Sequence, residues 1–212
     1  MADLAEGRAL AFLDPAAVAF PSWLRFRAPQ SFSDAGYARL KASIVHMGGN
    51  VQPIKACPVD AGRYELVFGT LRLRTCLELG LPVTASLDVV TGPRLVVELD
   101  ASNGDKQVSA FERGCLYDSA LQAGVFPSRR RLAESVGRPL RDVSDAILIA
   151  TLPPPVLTCL RDPRALKVGM ATKVAARWEA DPDGAKRRIA ALSTQDFRRD
   201  SQLLAAFLES DH

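Results

Sequence analysis

Residues 128–153 read SRRRLAESVGRPLRDVSDAILIATLP, two short amphipathic segments hinged on a glycine. Ser128 is a suitable cap for a first helix whose Leu132, Ala133 and Val136 face inward at helical spacing. Gly137 supplies the turn, because a left-handed backbone costs glycine least. A second helix over 140–150 then turns Val143, Ile147 and Ala150 to its buried side. A small residue in the first helix, glycine at the turn and a β-branched residue six positions later suit two helices crossing steeply, as in a helix-turn-helix. Arg138, Arg141, Ser144 and Asp145 are expected to project from the start of the second helix, the end that enters a DNA major groove. Ser128, Arg129, Arg130 and Arg131 lie where phosphate contacts are expected. An ordinary helical hairpin with a solvated basic turn would show the same pattern.

Charge is distributed around this stretch. The 212-residue chain has a net charge of only +3, yet residues 126–200 carry an excess of +6 and residues 1–125 of −1. A basic segment beside a near-neutral one points to an anionic partner, with nucleic acid the first candidate. A solvated basic face is the plainer alternative. Beyond Pro153 the chain reads as short helices over 154–160, 164–178, 184–192 and 195–209. Lys186-Arg187-Arg188 is a candidate auxiliary phosphate contact or a solvated helix face.

Upstream the signals change. Ser33 or Asp34 can cap a helix with Tyr37, Leu40, Ile44 and Met47 on one face, ended by Gly48-Gly49. Extended runs follow at 53–59 and 64–68, separated by the turn residues Asp60-Ala61-Gly62. Gly69 breaks the second run, a helix over 70–79 closes at Gly80, and a third strand covers 83–90. Helices are expected over 95–101 and from Ser109 to Gln122. The expected fold class is therefore α+β: a small mixed α/β domain over 1–105, then an all-α domain over 106–212 containing the helix-turn-helix at 128–150. About 100–200 residues per domain allows this division. The junction Phe68-Gly69-Thr70 presents free backbone N–H groups at a helix start. With Arg72 and Arg74 just inside it, that end suits phosphate oxygens, or the arginines are surface residues of an amphipathic helix.

Several classes are excluded. The only histidines are His46 and His212, which argues against a His-rich metal site or a Ser-His-Asp hydrolase. Cys57, Cys76, Cys115 and Cys159 form no C-x-x-C pair and read as reduced core or near-surface thiols. No apolar run approaches the ~18 residues of a membrane span. The acidic start, MADLAEGRAL, lacks a secretory signal's basic region, so a cytoplasmic protein is expected. Trp23 and Trp178 read as packing residues.

The succession Gln52-Pro53-Ile54, a strand, Gly69-x-x-Arg72-x-Arg74, LELGLP, a Ser-x-x-Glu helix start and FPSRRRLAESVG resembles the ParB family, and within it the plasmid SopB-like branch. The similarity runs from about Phe26 to Leu157 with the motifs in family order. The resemblance implies an amino-terminal α/β domain that binds CTP, with Mg2+, and a helix-turn-helix domain that binds a centromere-like site on double-stranded DNA. It also implies a homodimeric clamp closed by nucleotide, a ParA-type ATPase partner and association with a plasmid or nucleoid. By position, Gln52, Pro53 and Ile54 fall in the motif bordering the nucleotide base. Gly69, Thr70, Arg72 and Arg74 fall in the phosphate-binding segment, and Glu112 matches the acidic residue opening the next helix. Asn103 and Lys106 match the third motif when a one-residue gap precedes Val108-Ser109. Leu71 stands where the family has its first arginine, and the family's hydrolytic glutamate falls at Ser102, or at Ala101 without the gap. No catalytic residue is assigned, and at most weak CTP hydrolysis is expected. The rival readings are a helix-turn-helix transcriptional regulator with a degenerate nucleotide domain, and a nuclease or ATPase on the same scaffold.

Overall fold

The computed structural model describes residues 10–60, 62–102 and 108–209. The described chain begins with strand β1 (Leu10–Leu13), a 3-10 turn at Pro15–Ala17, the two-residue strand β2 (Val18–Ala19) and a second 3-10 turn at Pro29–Phe32. Helix α1 (Ala35–Met47) follows, its first turn capped by Asp34, whose carboxylate accepts from Tyr37 N at 2.9 Å. Strands β3 (Ile54–Asp60) and β4 (Arg63–Phe68) form an antiparallel hairpin. Helix α2 (Thr70–Leu79) then carries the chain over to β5 (Val83–Leu87), which lies parallel to β3. The five described strands are ordered β1-β5-β3-β4-β2, with β1 antiparallel to β5 and β2 parallel to β4. Ile54, Ala56, Leu66, Leu73, Cys76, Val83 and Ala85 are the buried centre of this layer.

One close approach fixes the strand-to-helix junction. Gly69 has φ +102°, and a Cβ there would fall 2.7 Å from Ile54 Cγ2. A residue with a side chain would therefore be both strained and in collision, so this turn requires glycine.

The helical part comprises α3 (Gly92–Ser102), α4 (Ala110–Gln122), α5 (Arg129–Val136), α6 (Leu140–Ala150), α7 (Pro154–Cys159), a 3-10 turn at Pro163–Ala165, α8 (Val168–Ala180), α9 (Pro182–Ser193) and α10 (Asp200–Leu208). It buries two apolar cores. In the first, Val96 and Leu99 of α3 join Leu116 and Tyr117 of α4, Leu132 of α5 and Val143 and Ile147 of α6, together with Phe26. Helix α3, amino-terminal to residue 105, thus packs with the helix pair that follows it. The second core gathers Val156, Leu166, Val174, Ile189, Leu203, Leu204 and Phe207, with Trp178 against it. α4 and α6 cross without an intervening side chain, because a Cβ on Gly114 would lie 1.9 Å from the Ala146 carbonyl oxygen.

The elements expected from sequence recur with four differences, one being that the helix expected over 195–209 begins only at Asp200. β1 and β2 carry no local signal: one is four residues long with Leu10 and Phe12 exposed, the other two residues long. β5 stops at Leu87 rather than 90, where the Asp88 carboxylate turns to Lys55 at 2.7 Å and Arg94 at 2.8 Å, and α3 begins at Gly92. The helix expected over 164–178 is divided: Leu166 is extended and buried between a 3-10 turn and α8.

The α4–α6 crossing yields a prediction whose sign is informative. On an exposed helix, replacing glycine by alanine stabilises by roughly 0.5–1 kcal/mol. Gly114→Ala should instead destabilise by about 1–3 kcal/mol, the usual cost of overpacking, read as a lower midpoint in thermal unfolding. An unchanged or higher midpoint would contradict the packing described.

Candidate functional site

A cleft of about 480 Å³ opens where the Gly69–Arg72 junction faces the start of α1, with Gln52 and Ser102 also on its wall. The amino-terminal N–H groups of α2 receive no side-chain cap. They are therefore donors in search of an acceptor, at the positive end of a helix dipole. Among the described residues four arginines line the same cleft, Arg27, Arg39, Arg72 and Arg164, against a single carboxylate, Asp34. This donor set fits phosphate oxygens. Burial lowers the pKa of Arg72 and, opposed by Glu112, that of Arg27, so both guanidinium groups carry a desolvation cost that an anion would offset.

The loop before β3 is built by Asn50, which the motif reading did not single out, and by Arg72, which it did. Asn50, 4% exposed, donates through Nδ2 to the Gln52 carbonyl at 3.0 Å and the Thr84 carbonyl at 2.9 Å, and its Oδ1 accepts from Thr84 N at 2.8 Å. Arg72 Nη1 donates to the Gln52 and Pro53 carbonyls at 2.8 and 2.6 Å. Arg72 thus clamps the loop from below while lining the cleft.

Gln52, Gly69, Thr70 and Arg72, which the resemblance groups as site residues, share the cleft wall. Four other described residues do not. Pro53 is half-buried behind the wall, where its carbonyl accepts from Arg72. Ile54 is fully buried beneath Gly69, a packing residue rather than a ligand neighbour. Arg74 points away along α2 and pairs with Glu78 at 2.8 Å, one helical turn on. Glu112 is 2% exposed and fully occupied inside the protein. Its Oε1 accepts from Ala28 N at 3.2 Å and from Ser31 Oγ, and lies 3.6 Å from Arg27 Nη1. Its Oε2 accepts from Ser109 N at 3.1 Å and Ser109 Oγ at 3.0 Å, and Ser109 Oγ accepts from Glu112 N, closing a capping box on α4. Asn103 and Lys106 lie outside the described residues. Arg27, Arg39 and Arg164 were not legible as cleft residues; no local motif marks them, and tertiary packing brings them in.

A second surface lies on α5 and α6. Ser128 caps α5 by accepting from Arg131 N at 3.3 Å, and Gly137, φ +67°, makes the left-handed turn to α6. Leu132, Ala133, Val143 and Ile147 are buried, and Ala150 is half-buried. Arg129, Arg130, Arg131 and Arg141 are exposed, Ser144 and Asp145 half-buried. Arg130 and Arg131 pair with Glu134 at 3.5 and 3.0 Å, and Arg141 with Asp145 at 3.7 Å. Such exposed pairs are weak and exchange readily for phosphate.

Arg138 departs from the expectation of an outward-facing residue. Its Nε donates at 2.7 Å to Asp100, a carboxylate 6% exposed on α3. Asp100 also accepts from Arg113 Nε at 3.1 Å and Tyr117 Oη at 2.9 Å. Burial, reinforced by the neighbouring Asp100 charge, raises the pKa of the Tyr117 hydroxyl and keeps it a donor. Arg138 therefore fixes the helix pair to α3. Downstream, Lys186 and Arg187 are exposed, whereas Arg188 donates to the Ala206 carbonyl at 2.6 Å and holds α10. Among the described residues no three His, Cys, Asp or Glu side chains gather as a metal cage, and no helix is long and apolar enough to cross a membrane. The four cysteines are free; burial pushes the Cys115 thiol up to about 11.

No protein-family model matches the chain. A protein described as "Putative replication protein B" from Rhizobium rhizogenes is 33% identical over 109 residues, 51% of this chain and 33% of the relative, so the chain spans about a third of that relative's length. Among solved structures, the Pnob8-like ParB-N domain aligns over 94% of this chain and 92% of its own, with a TM-score of 0.54 and 15% identity. The fold is thus that of a ParB-N domain structure, α+β as expected. ParB of Caulobacter crescentus, carboxy-terminally truncated, aligns at lower scores in two complexes. With the centromeric parS site the TM-score is 0.48 at 19% identity, over 93% of this chain and 97% of that one. With CTP-gamma-S it is 0.40 at 16% identity, over 95% and 99%.

The Asp100 cluster gives a direct prediction. Asp100→Asn removes the buried charge that Arg113 and Arg138 share, and breaking a buried pair typically costs about 3–5 kcal/mol. A chemical denaturation series should show a loss of that order; a change within about 0.5 kcal/mol, as for an ordinary surface site, would contradict this role for Asp100.

Proposed function

We propose that this chain is a ParB-type partition protein that binds double-stranded DNA at a centromere-like site through α5 and α6, and binds CTP in the arginine-lined cleft. What carries the reading is that one chain joins a ParB-N fold, a donor-rich cleft at an uncapped helix start and an exposed basic helix pair. Arg129, Arg130 and Arg131 position the protein on phosphates, and Arg141, at the start of α6 and 88% exposed, reads a base edge. CTP, with Mg2+, supplies a triphosphate to Gly69, Thr70 and Arg72, and the Gln52–Pro53 loop borders its base. A homodimer, a ParA-type ATPase partner, the division into 1–105 and 106–212, with α3 of the first part packed in the core of the second, and plasmid or nucleoid association complete the reading.

The cleft offers little for hydrolysis. Asp34, the one carboxylate on its described wall, already caps α1 and pairs with Arg164. Leu71 on the cleft wall favours the second reading, a helix-turn-helix regulator that has lost its nucleotide.

Once a site has been selected from random DNA, Arg141→Ala should weaken binding to it by about 1–3 kcal/mol while binding to random DNA falls less. An equal loss on both would reduce Arg141 to a phosphate contact. Calorimetry of the wild-type chain should show CTP bound in preference to ATP and GTP, and Arg72→Ala should abolish it. Absence of any nucleotide binding by the wild type would leave the regulator reading standing.

A further inference from the structure

Arg164 lines the cleft from a point in the chain beyond the helix pair. It sits on the 3-10 turn Pro163–Ala165, beyond α7, anchored on its own side: Pro163 and Leu166 are buried, and the backbone N–H groups of Arg161 and Asp162 donate to the Asp200 carboxylate at 2.8 and 2.9 Å. Its guanidinium has two differently held edges. Nε donates to Asp162 Oδ1 at 2.9 Å and Nη2 to Asp162 Oδ2 at 2.8 Å, a bidentate pair between residues two apart on one short turn. Nη1 turns the other way, to Asp34 Oδ2 at 2.6 Å and Ser31 Oγ at 3.1 Å, across about 130 residues of chain. Asp162 therefore orients the fork, and Nη1 is the edge presented to the cleft.

Asp34 is a replaceable partner for that edge. Its other oxygen, Oδ1, does the capping of α1, so the cap does not depend on the ion pair. The pair stands at the cleft rim, with side chains 20% and 39% exposed, where water screens it. A phosphate carries more charge and three acceptor oxygens, and a guanidinium fork matches it well. The hydrogen bonds of Arg164 hold the Asp34 carboxyl below the usual carboxylate range, so Asp34 remains charged and competes with any anion for the same donor.

We propose that Arg164 is a phosphate ligand of the cleft, held in place by Asp162, and that Asp34 is the internal counter-ion which an incoming polyphosphate displaces from Nη1. The proposal rests on the nucleotide reading only for the identity of the ligand; its own chemistry is that of a polyphosphate. It gives the cleft a cation from the carboxy-terminal helices and makes occupancy a choice between two anions for one donor.

The test uses the full chain with two probes, inorganic tripolyphosphate and CTP, by calorimetry, on the wild type, Arg164→Gln, Arg164→Lys and Asp34→Asn. Asparagine keeps the α1 cap, since its side-chain oxygen caps equally well. Arg164→Gln should raise the Kd of both probes about tenfold or more, the scale of one lost charge-assisted bond. Arg164→Lys, which keeps the charge and loses the fork, should fall between, and serves if the glutamine variant does not fold. Asp34→Asn should lower the Kd several-fold by removing the competitor. A wild type that binds with unchanged affinity in both Arg164 variants overturns the assignment, and an Asp34→Asn variant that binds more weakly overturns the competition. Tripolyphosphate binding that depends on Arg164, without CTP binding, upholds Arg164 while removing the nucleotide reading. Binding of neither probe overturns both.

Discussion

Glu112 is a carboxylate almost sealed from water, and a buried charge persists only when its lone pairs are filled and a counter-charge stands near. Here the filling comes from two distant parts of the chain. Ala28, Ser31 and Arg27 approach one oxygen from the segment before α1, while Ser109 closes on the other from the start of α4. Removing either side would leave the charge partly unpaired, so the segment 27–31 and the first turn of α4 are held as one piece. The family resemblance implies a nucleotide-site role for this glutamate; its burial gives it the task of holding the wall of the cleft.

From Glu112 the connections run in both directions. Ser31, which donates to Glu112, also accepts from Arg164 in the cleft wall. Two residues along α4, Gly114 lets the helix touch the α6 backbone at Ala146. Asp100 adds a second tie, joining α3 and α4 to Arg138 at the turn between α5 and α6. The cleft and the basic helix pair are therefore joined through α4 by contacts that admit little slack. Rearranging the cleft side requires Glu112 to find other donors, and α4 cannot shift without moving α6.

Local signals were legible where the physics is local. Asp34, Ser109 and Ser128 cap their helices, and Gly48, Gly80 and Gly137 end theirs in left-handed turns. The β3–β4 hairpin and its glycine break before α2 follow from alternation and turn chemistry. What escaped depends on partners far along the chain. β1 and β2 are sheet edges defined by the strands they join, and four or two residues hold no periodicity. Arg138 reads as outward-facing on its helix, yet a carboxylate 38 residues earlier claims it. Arg164 lies in a stretch that resembles a plain helix start, and only the folded chain sets it beside Asp34. Asn50 stands between the Gly48-Gly49 helix end and Gln52, but its scaffold role needs Thr84 on β5.

One carboxylate thus ties two regions together, and amide hydrogen exchange on Glu112→Gln against the wild type tests that most directly. Glutamine keeps the size of the side chain and removes its charge and one acceptor oxygen. The account predicts faster exchange both at 28–34 and through the first turns of α4, extending to α6 around Ala146. Faster exchange confined to 109–112, with 28–34 and α6 unchanged, would contradict it.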